Sequence, residues 1–183
     1  MSTVNFNEVD SNNVYPMLAH GGYSHSWRIE LIYFYLLQCF NMSYRFLEDV
    51  AIADVAFEAT GKSLEELFES AALAVTNTQV KDLKSVKQKI LKEIKVESDS
   101  IEMLLFNFLQ ELIFYKDAQL LLFSKFDIKI TQGKNYKLKA KAYGEKLDMK
   151  KHELLVDVKA VSLHNYKVEE KKSGWKADVI LDV

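Results

Sequence analysis

Apolar and polar positions change period several times along this chain, and each change predicts an element. Residues 29–41 are a nearly continuous apolar run after a polar stretch, 1–28, with no sustained period. From Tyr44 the rhythm shortens. Tyr44 and Phe46, then Val50 and Ile52, then Val55 and Phe57 read as short strands, and Ala51, Ala53, Ala56 and Ala59 imply close packing between them. Asp54 breaks that pattern, because Asp is depleted in strands. A conflict between local preference and setting marks either a strand end facing water or a functional position.

Ser63 with Glu66 three residues on is a capping box. The apolar stripe Leu64, Leu67, Phe68, Ala71, Ala74 and Val75 then predicts a helix ending near Asn77. Residues 80–98 mix charges of both signs. A strand over 88–96 is favoured over a helix reaching Lys92, because Ile90, Ile94 and Val96 share one face. Asp99 with Glu102 opens a second helix, whose stripe of Ile101, Leu104, Leu105, Phe108, Leu112 and Tyr115 is broadened by Met103, Leu109 and Ile113. So wide an apolar surface predicts the central helix of the core.

The rest reads as β-structure. Leu120 to Ile130 is a strand, and Gln132 to Asn135 a hairpin loop. Tyr136 to Tyr143 alternates strictly, with Lys137, Lys139 and Lys141 outward, and Gly144 is expected to end it. Leu155 to Val168 holds one or two strands, Glu169 to Gly174 a turn, and Trp175 to Asp182 a last strand that runs to the terminus. The order is two strands, helix, strand, helix, then a meander. It predicts an α+β fold, two-layer, with two helices packed on one face of a mainly antiparallel or mixed sheet.

A length of 183 residues fits one domain with its own core, assigned to residues 42–183, with 1–41 as a leader. The apolar run 29–41 is shorter than the ~20 residues of a membrane-spanning helix. It is read first as a helix packed on the domain or a partner, then as upstream sequence before a natural start at Met42, and last as an anchor. No membrane partner is expected, and the one cysteine, Cys39, suits a reducing, cytoplasmic setting. A net charge of −2 gives no general field for nucleic acid, so any RNA contact would be local or made through a partner.

No phosphate-cradling loop is present; Gly61-Lys62-Ser63 lacks the upstream glycine and fits a helix cap. His152 and His164 are read as structural or surface histidines rather than catalytic bases. The carboxylates carry more. If Asp54 lies near the last strand, Asp54, Asp182 and the terminal carboxylate of Val183 gather three anionic groups, which cannot all stay ionised cheaply. A divalent cation would resolve this, and an all-oxygen set selects calcium, magnesium or manganese. The lysines of 80–98 suit a solvated face before an RNA patch, and Lys137, Lys139 and Lys141 are the residues through which direct RNA binding would run.

Six segments, in order, resemble the archease family: A-D-V-A-F-E-A at 53–59, G-K-S-L-E-E-L-F-E-S-A-A-L-A at 61–74, Y-K-L-K-A-K-A-Y-G-E at 136–145, K-H-E at 151–153, V-K-A-V-S-L-H at 158–164 and W-K-A-D-V-I-L-D-V at 175–183. The family's His-Thr-Ala-Asp-Val-Gly signature aligns with Asp54, but Ala51, Ile52 and Ala56 replace its His, Thr and Gly, and Asp49 is a partial substitute. The resemblance implies a metal site of Asp54, Asp182 and Val183. It also implies a protein that is not itself an enzyme. Such a protein activates the RNA ligase that joins 3′-phosphate or 2′,3′-cyclic-phosphate ends to 5′-hydroxyl ends in tRNA splicing and RNA repair. It promotes guanylylation and multiple turnover, with RNA contact made through the ligase. The alternatives are a chaperone-like modulator of a tRNA-modifying enzyme, a metal-dependent hydrolase and a direct RNA binder.

Overall fold

Phe68, Phe108 and Phe126 meet at the centre of the molecule, and the elements that carry them define its layers. The structure is a computed structural model describing residues 43–47 and 54–183, all within the compact unit Met42–Val183. The apolar run 29–41, Asp49 and Ala51 lie outside the described residues.

The elements are β1 (Tyr44–Leu47), β2 (Val55–Gly61), α1 (Leu64–Gln79), a short 3-10 turn (Leu83–Ser85), β3 (Ile90–Ser98), α2 (Ile101–Gln119), β4 (Leu121–Gln132), β5 (Tyr136–Lys146), β6 (Ala160–Lys171) and β7 (Gly174–Asp182). This is the expected α+β class and order. The sheet, however, is two sheets, β1-β2-β7-β6 and β3-β5-β4, with every pairing antiparallel. The expected meander is therefore split, with β4 and β5 in one sheet and β6 and β7 in the other. The chain crosses between them through residues 147–159.

The helices join the sheets. The α1 helix packs on β2 and β4, and α2 on β3 and β6. The Phe108 ring of α2 stacks on Phe68 of α1 at 6.1 Å and meets Phe126 of β4 edge-on at 6.1 Å. Glu65 at the start of α1 accepts a hydrogen bond from the Ile130 N–H of β4 at 3.2 Å.

Local chemistry explains the boundaries. Ser63 Oγ accepts the Glu66 N–H at 3.3 Å, and the Glu66 carboxylate accepts the Lys62 N–H at 2.7 Å. The helix runs two residues past Asn77, because Thr78 and Gln79 bond back to the Ala74 and Val75 carbonyls instead of stopping the helix. The second helix is capped by Ser100, whose Oγ accepts the Met103 N–H at 3.3 Å, not by Asp99. Gly144 does not end β5. It pairs with Phe123 inside the strand, beside a bulge between Phe123 and Lys125. A Cβ at Gly144 would fall on the backbone of Leu122, so only glycine permits this approach. The turn before the last strand is also tighter than expected, with Lys172 and Ser173 between β6 and β7 and Gly174 at φ +132°.

Candidate metal centre

The last strand is central, not peripheral. β7 lies between β2 and β6, and its register with β2 runs Val55↔Leu181, Phe57↔Val179, Ala59↔Ala177. Leu181, Val179 and Ala177 are buried, so Asp182 alternates outward and is exposed. Val55↔Leu181 is the last pair of that register, and Asp54 and Asp182 each follow it at the same end of the sheet. Asp54 is exposed and sits in the bend that leads into β2.

On the other side of β7, Asp182 pairs with Ala160, and its carbonyl accepts the Lys159 N–H at 2.8 Å. The Lys159 ammonium donates to the Val183 carbonyl oxygen at 3.0 Å. Among the described residues this end of the sheet thus carries the exposed Asp54 and Asp182, with the Lys159 ammonium on Val183. Among the described residues no three His, Cys, Asp or Glu side chains form a metal-binding group. A cation here would need the terminus as its third protein ligand. Oxygen-only donors of this kind suit hard cations.

Buried polar contacts hold that sheet end in place. Val161 at the start of β6 donates its N–H to Gln110 Oε1 of α2 at 2.8 Å. Lys116, buried on α2, donates to the Val158 carbonyl at 2.9 Å and pairs with Asp157 at 2.6 Å and Asp117 at 2.5 Å. Burial alone would lower the Lys116 pKa, but the two carboxylates outweigh it and raise it. Residues 157–161 therefore enter the sheet from a fixed position.

His152 is a structural residue, as read from the sequence. It is buried, its Nδ1 accepts the Asp148 N–H at 3.0 Å, and its Nε2 therefore donates to Glu145 at 3.3 Å. Glu145 also accepts the Lys87 N–H at 2.7 Å, pairs with Lys89 at 2.9 Å and takes a short bond from Lys151. Burial alone would raise its carboxyl, but the bonds from Lys151, Lys87, Lys89 and His152 hold it far below the usual carboxylate range. Glu145 and Lys116 escaped the sequence reading. Strand alternation turns Glu145 toward solvent, and the segment at Lys87–Lys89 together with the 147–153 connection covers it. His164 is exposed in the irregular stretch of β6 where Asn165 takes a left-handed φ of 52°.

A small α+β protein with exposed acidic residues where its last strand ends is the class that fold and site define. Residues 44–183 match the Archease protein family, and the chain belongs to that family. It is 44% identical over 133 residues to the protein archease of Pyrococcus abyssi, covering 72% of this chain and 93% of that protein. The protein archease of Sulfurisphaera tokodaii is 37% identical over 131 residues, covering 72% of this chain and 93% of that protein. A solution structure of a Methanobacterium thermoautotrophicum protein is similar with TM-score 0.68 and 34% identity, covering 78% of this chain and 99% of that one. The crystal structure of an archease described as a possible chaperone, from Thermotoga maritima, has TM-score 0.50 and 20% identity, covering 76% of this chain and 98% of that one; it shows the fold. Among the described residues no helix is long and apolar enough to cross a membrane.

Proposed function

We propose that this chain is a non-catalytic activator of an RNA ligase of the 3′-phosphate/5′-hydroxyl type, working in the cytoplasm in tRNA splicing and RNA repair. It acts through an acidic, metal-binding tip made by Asp54, Asp182 and the Val183 carboxylate. Family membership supports an accessory role. The observation that carries the metal part is the β2–β7 register, which runs Val55↔Leu181 and leads Asp54 toward Asp182.

A bound calcium, magnesium or manganese ion would supply positive charge facing phosphate oxygens in the ligase's active site. The chain's own residues do the rest. Lys116 and Gln110 anchor the entry to β6, and β7 holds Asp182 and Val183 on the sheet. The exposed carboxylates form a compact acidic projection suited to a cationic partner surface.

The test is multiple-turnover ligation by a cognate ligase, with this protein or its Asp54→Ala or Asp182→Ala form. The expected result is stimulation by the wild type and its loss in both variants, each with an unchanged circular dichroism spectrum. Equal stimulation by the variants overturns the tip's role.

A chaperone-like role has one observation in its favour, the exposed apolar residues Leu154, Leu155 and Val156. It predicts protection of aggregating partners that is indifferent to Asp54.

A further inference from the structure

The outer face of the three-stranded sheet carries its charge in rows. With β5 in the middle, the register sets Lys95 beside Lys139 and Lys139 beside Lys129. All three are exposed. Neighbouring strands lie about 4.8 Å apart, so three ammonium stems stand in one line roughly 10 Å long. Like charges directly opposite one another destabilise a sheet, and here the arrangement occurs twice in one row.

The adjoining rows carry no excess of positive charge, and one of them is net −1. Lys141 has Glu93 on one flank and Asp127 on the other, and Lys137 pairs with Glu97 at 3.2 Å. Tyr143 donates to Asp127 at 2.8 Å, and Lys125 lies over the Tyr143 ring at 5.3 Å. Among the described residues Lys95, Lys129 and Lys139 take part in no ion pair. The excess charge of the face is concentrated in that single row. It borders an open depression of about 620 Å³ whose lining includes Glu93, Lys95, Asp127, Lys129, Lys139 and Lys141.

We infer that this face binds the phosphodiester backbone of a nucleic-acid strand, with Lys95, Lys139 and Lys129 contacting successive phosphates. Three ammonium groups on flexible stems, their strands about 4.8 Å apart, can each reach a phosphate of one strand. The face favours a nucleic acid over an acidic protein because, among the described residues, no exposed apolar side chain lies beside the row. Leu91 and Tyr143 stand at one end, and the 133–135 turn closes the other. Protein interfaces depend on apolar or aromatic anchors in buried pockets, whereas phosphate contacts need only positioned cations. The contact is local, which reconciles it with a net charge of −2. It involves neither the acidic tip nor the ligase, so it stands or falls separately from the proposal above.

Fluorescence anisotropy of a labelled 20-nucleotide oligouridylate with the full chain, without ligase and in EDTA, tests this. Three phosphate contacts predict a slope of log K on log salt of about −2, or roughly a 20-fold loss from 50 to 200 mM KCl. Lys139→Gln should flatten the slope by about 0.7. The triple variant Lys95→Gln, Lys129→Gln, Lys139→Gln should bind at least tenfold more weakly with an unchanged circular dichroism spectrum. Lys172→Gln, in the β6–β7 turn, should bind like the wild type. Absence of wild-type binding, equal loss in Lys172→Gln, unaltered binding by the triple variant, or equal displacement by polyglutamate would each overturn the inference.

Discussion

One acidic rung stands within the β2–β7 pair, two more aspartates stand at the end of the same register, and the protein treats the two places differently. In one, Glu58 of β2 faces Asp178 of β7. Lys176 lies 2.7 Å from Glu58 and 3.2 Å from Asp178, and Arg45 of β1 forks onto Glu58 with two bonds of 3.2 Å. Burial alone would raise the Glu58 carboxyl, but Lys176 and Arg45 reverse this and hold it below the usual range. At the other end of that register, four residues along, lie Asp54 and Asp182, and among the described residues the cation in contact there is Lys159, on the Val183 carbonyl. The first rung is neutralised from within. Among the described residues the second has no such built-in cation on its carboxylates, and the proposed cation would supply one from outside.

The largest expected effect sharpens that contrast. If the second rung takes a cation, calcium at 100 times its dissociation constant should stabilise the wild type by about 2.7 kcal/mol. Asp54→Asn should abolish that gain and leave the stability in EDTA unchanged within about 0.5 kcal/mol. Thermal melts with and without calcium read both quantities. A calcium response that survives Asp54→Asn would break the comparison.

Glu145 supplies a third acidic centre, surrounded by Lys87, Lys89, Lys151 and His152. Its carboxylate is covered by its own partners rather than sunk in the core, so the loss should be moderate. Glu145→Gln should cost about 2 kcal/mol in urea denaturation at pH 7 and show no metal dependence. The carboxyl is depressed in the folded state. Its contribution is therefore complete above the unfolded value of 4.5 and disappears as pH falls through the folded value. Wild type and variant should converge in strong acid.

Lys176→Met removes the cation that the first rung's two acids share. With Arg45 still in place and Lys176 partly exposed, the expected cost is about 1 kcal/mol at pH 7. The depressed Glu58 carboxyl gives the same sign, so the difference should shrink as pH falls below the unfolded value of 4.5. If the two rungs differ only in their cations, this variant should also gain a weak stabilising response to calcium that the wild-type rung lacks.

Much of this was legible in local patterns. The Ser63 cap, the outward lysines of β5 and the outward turn of Asp182 all follow from spacing along one segment. The partner of a strand does not, because alternation tells which face a residue occupies and not which strand lies beside it. That is why the last four strands read as one meander, and why the line of Lys95, Lys139 and Lys129 appears only once β5 is known to lie between β3 and β4. Asp99 and Ser100 both suit a helix cap, and only the bond to Met103 decides between them. Gly144 reads as a break until Leu122 is seen against it. For the candidate centre, Asp54 and Asp182 stood out in the sequence. Lys159 did not, because its importance comes from lying beside Val183 across a sheet.

That lysine gives the finest test of the comparison. Its ammonium takes part of the terminal carboxylate's field, so it competes with an incoming cation. It is not needed to place the tail. The Lys159 N–H bond to the Asp182 carbonyl survives substitution, and the ladder Ala160↔Asp182, Val161↔Leu181 continues to hold β7. An exposed charge pair of this kind is worth up to about 1 kcal/mol. Lys159→Ala should therefore bind calcium about two- to fivefold more tightly in isothermal titration, with the effect fading as salt screens the pair. Weaker binding would mean that the ammonium orders the terminus, and the second rung would then resemble the first, with its own cation built in.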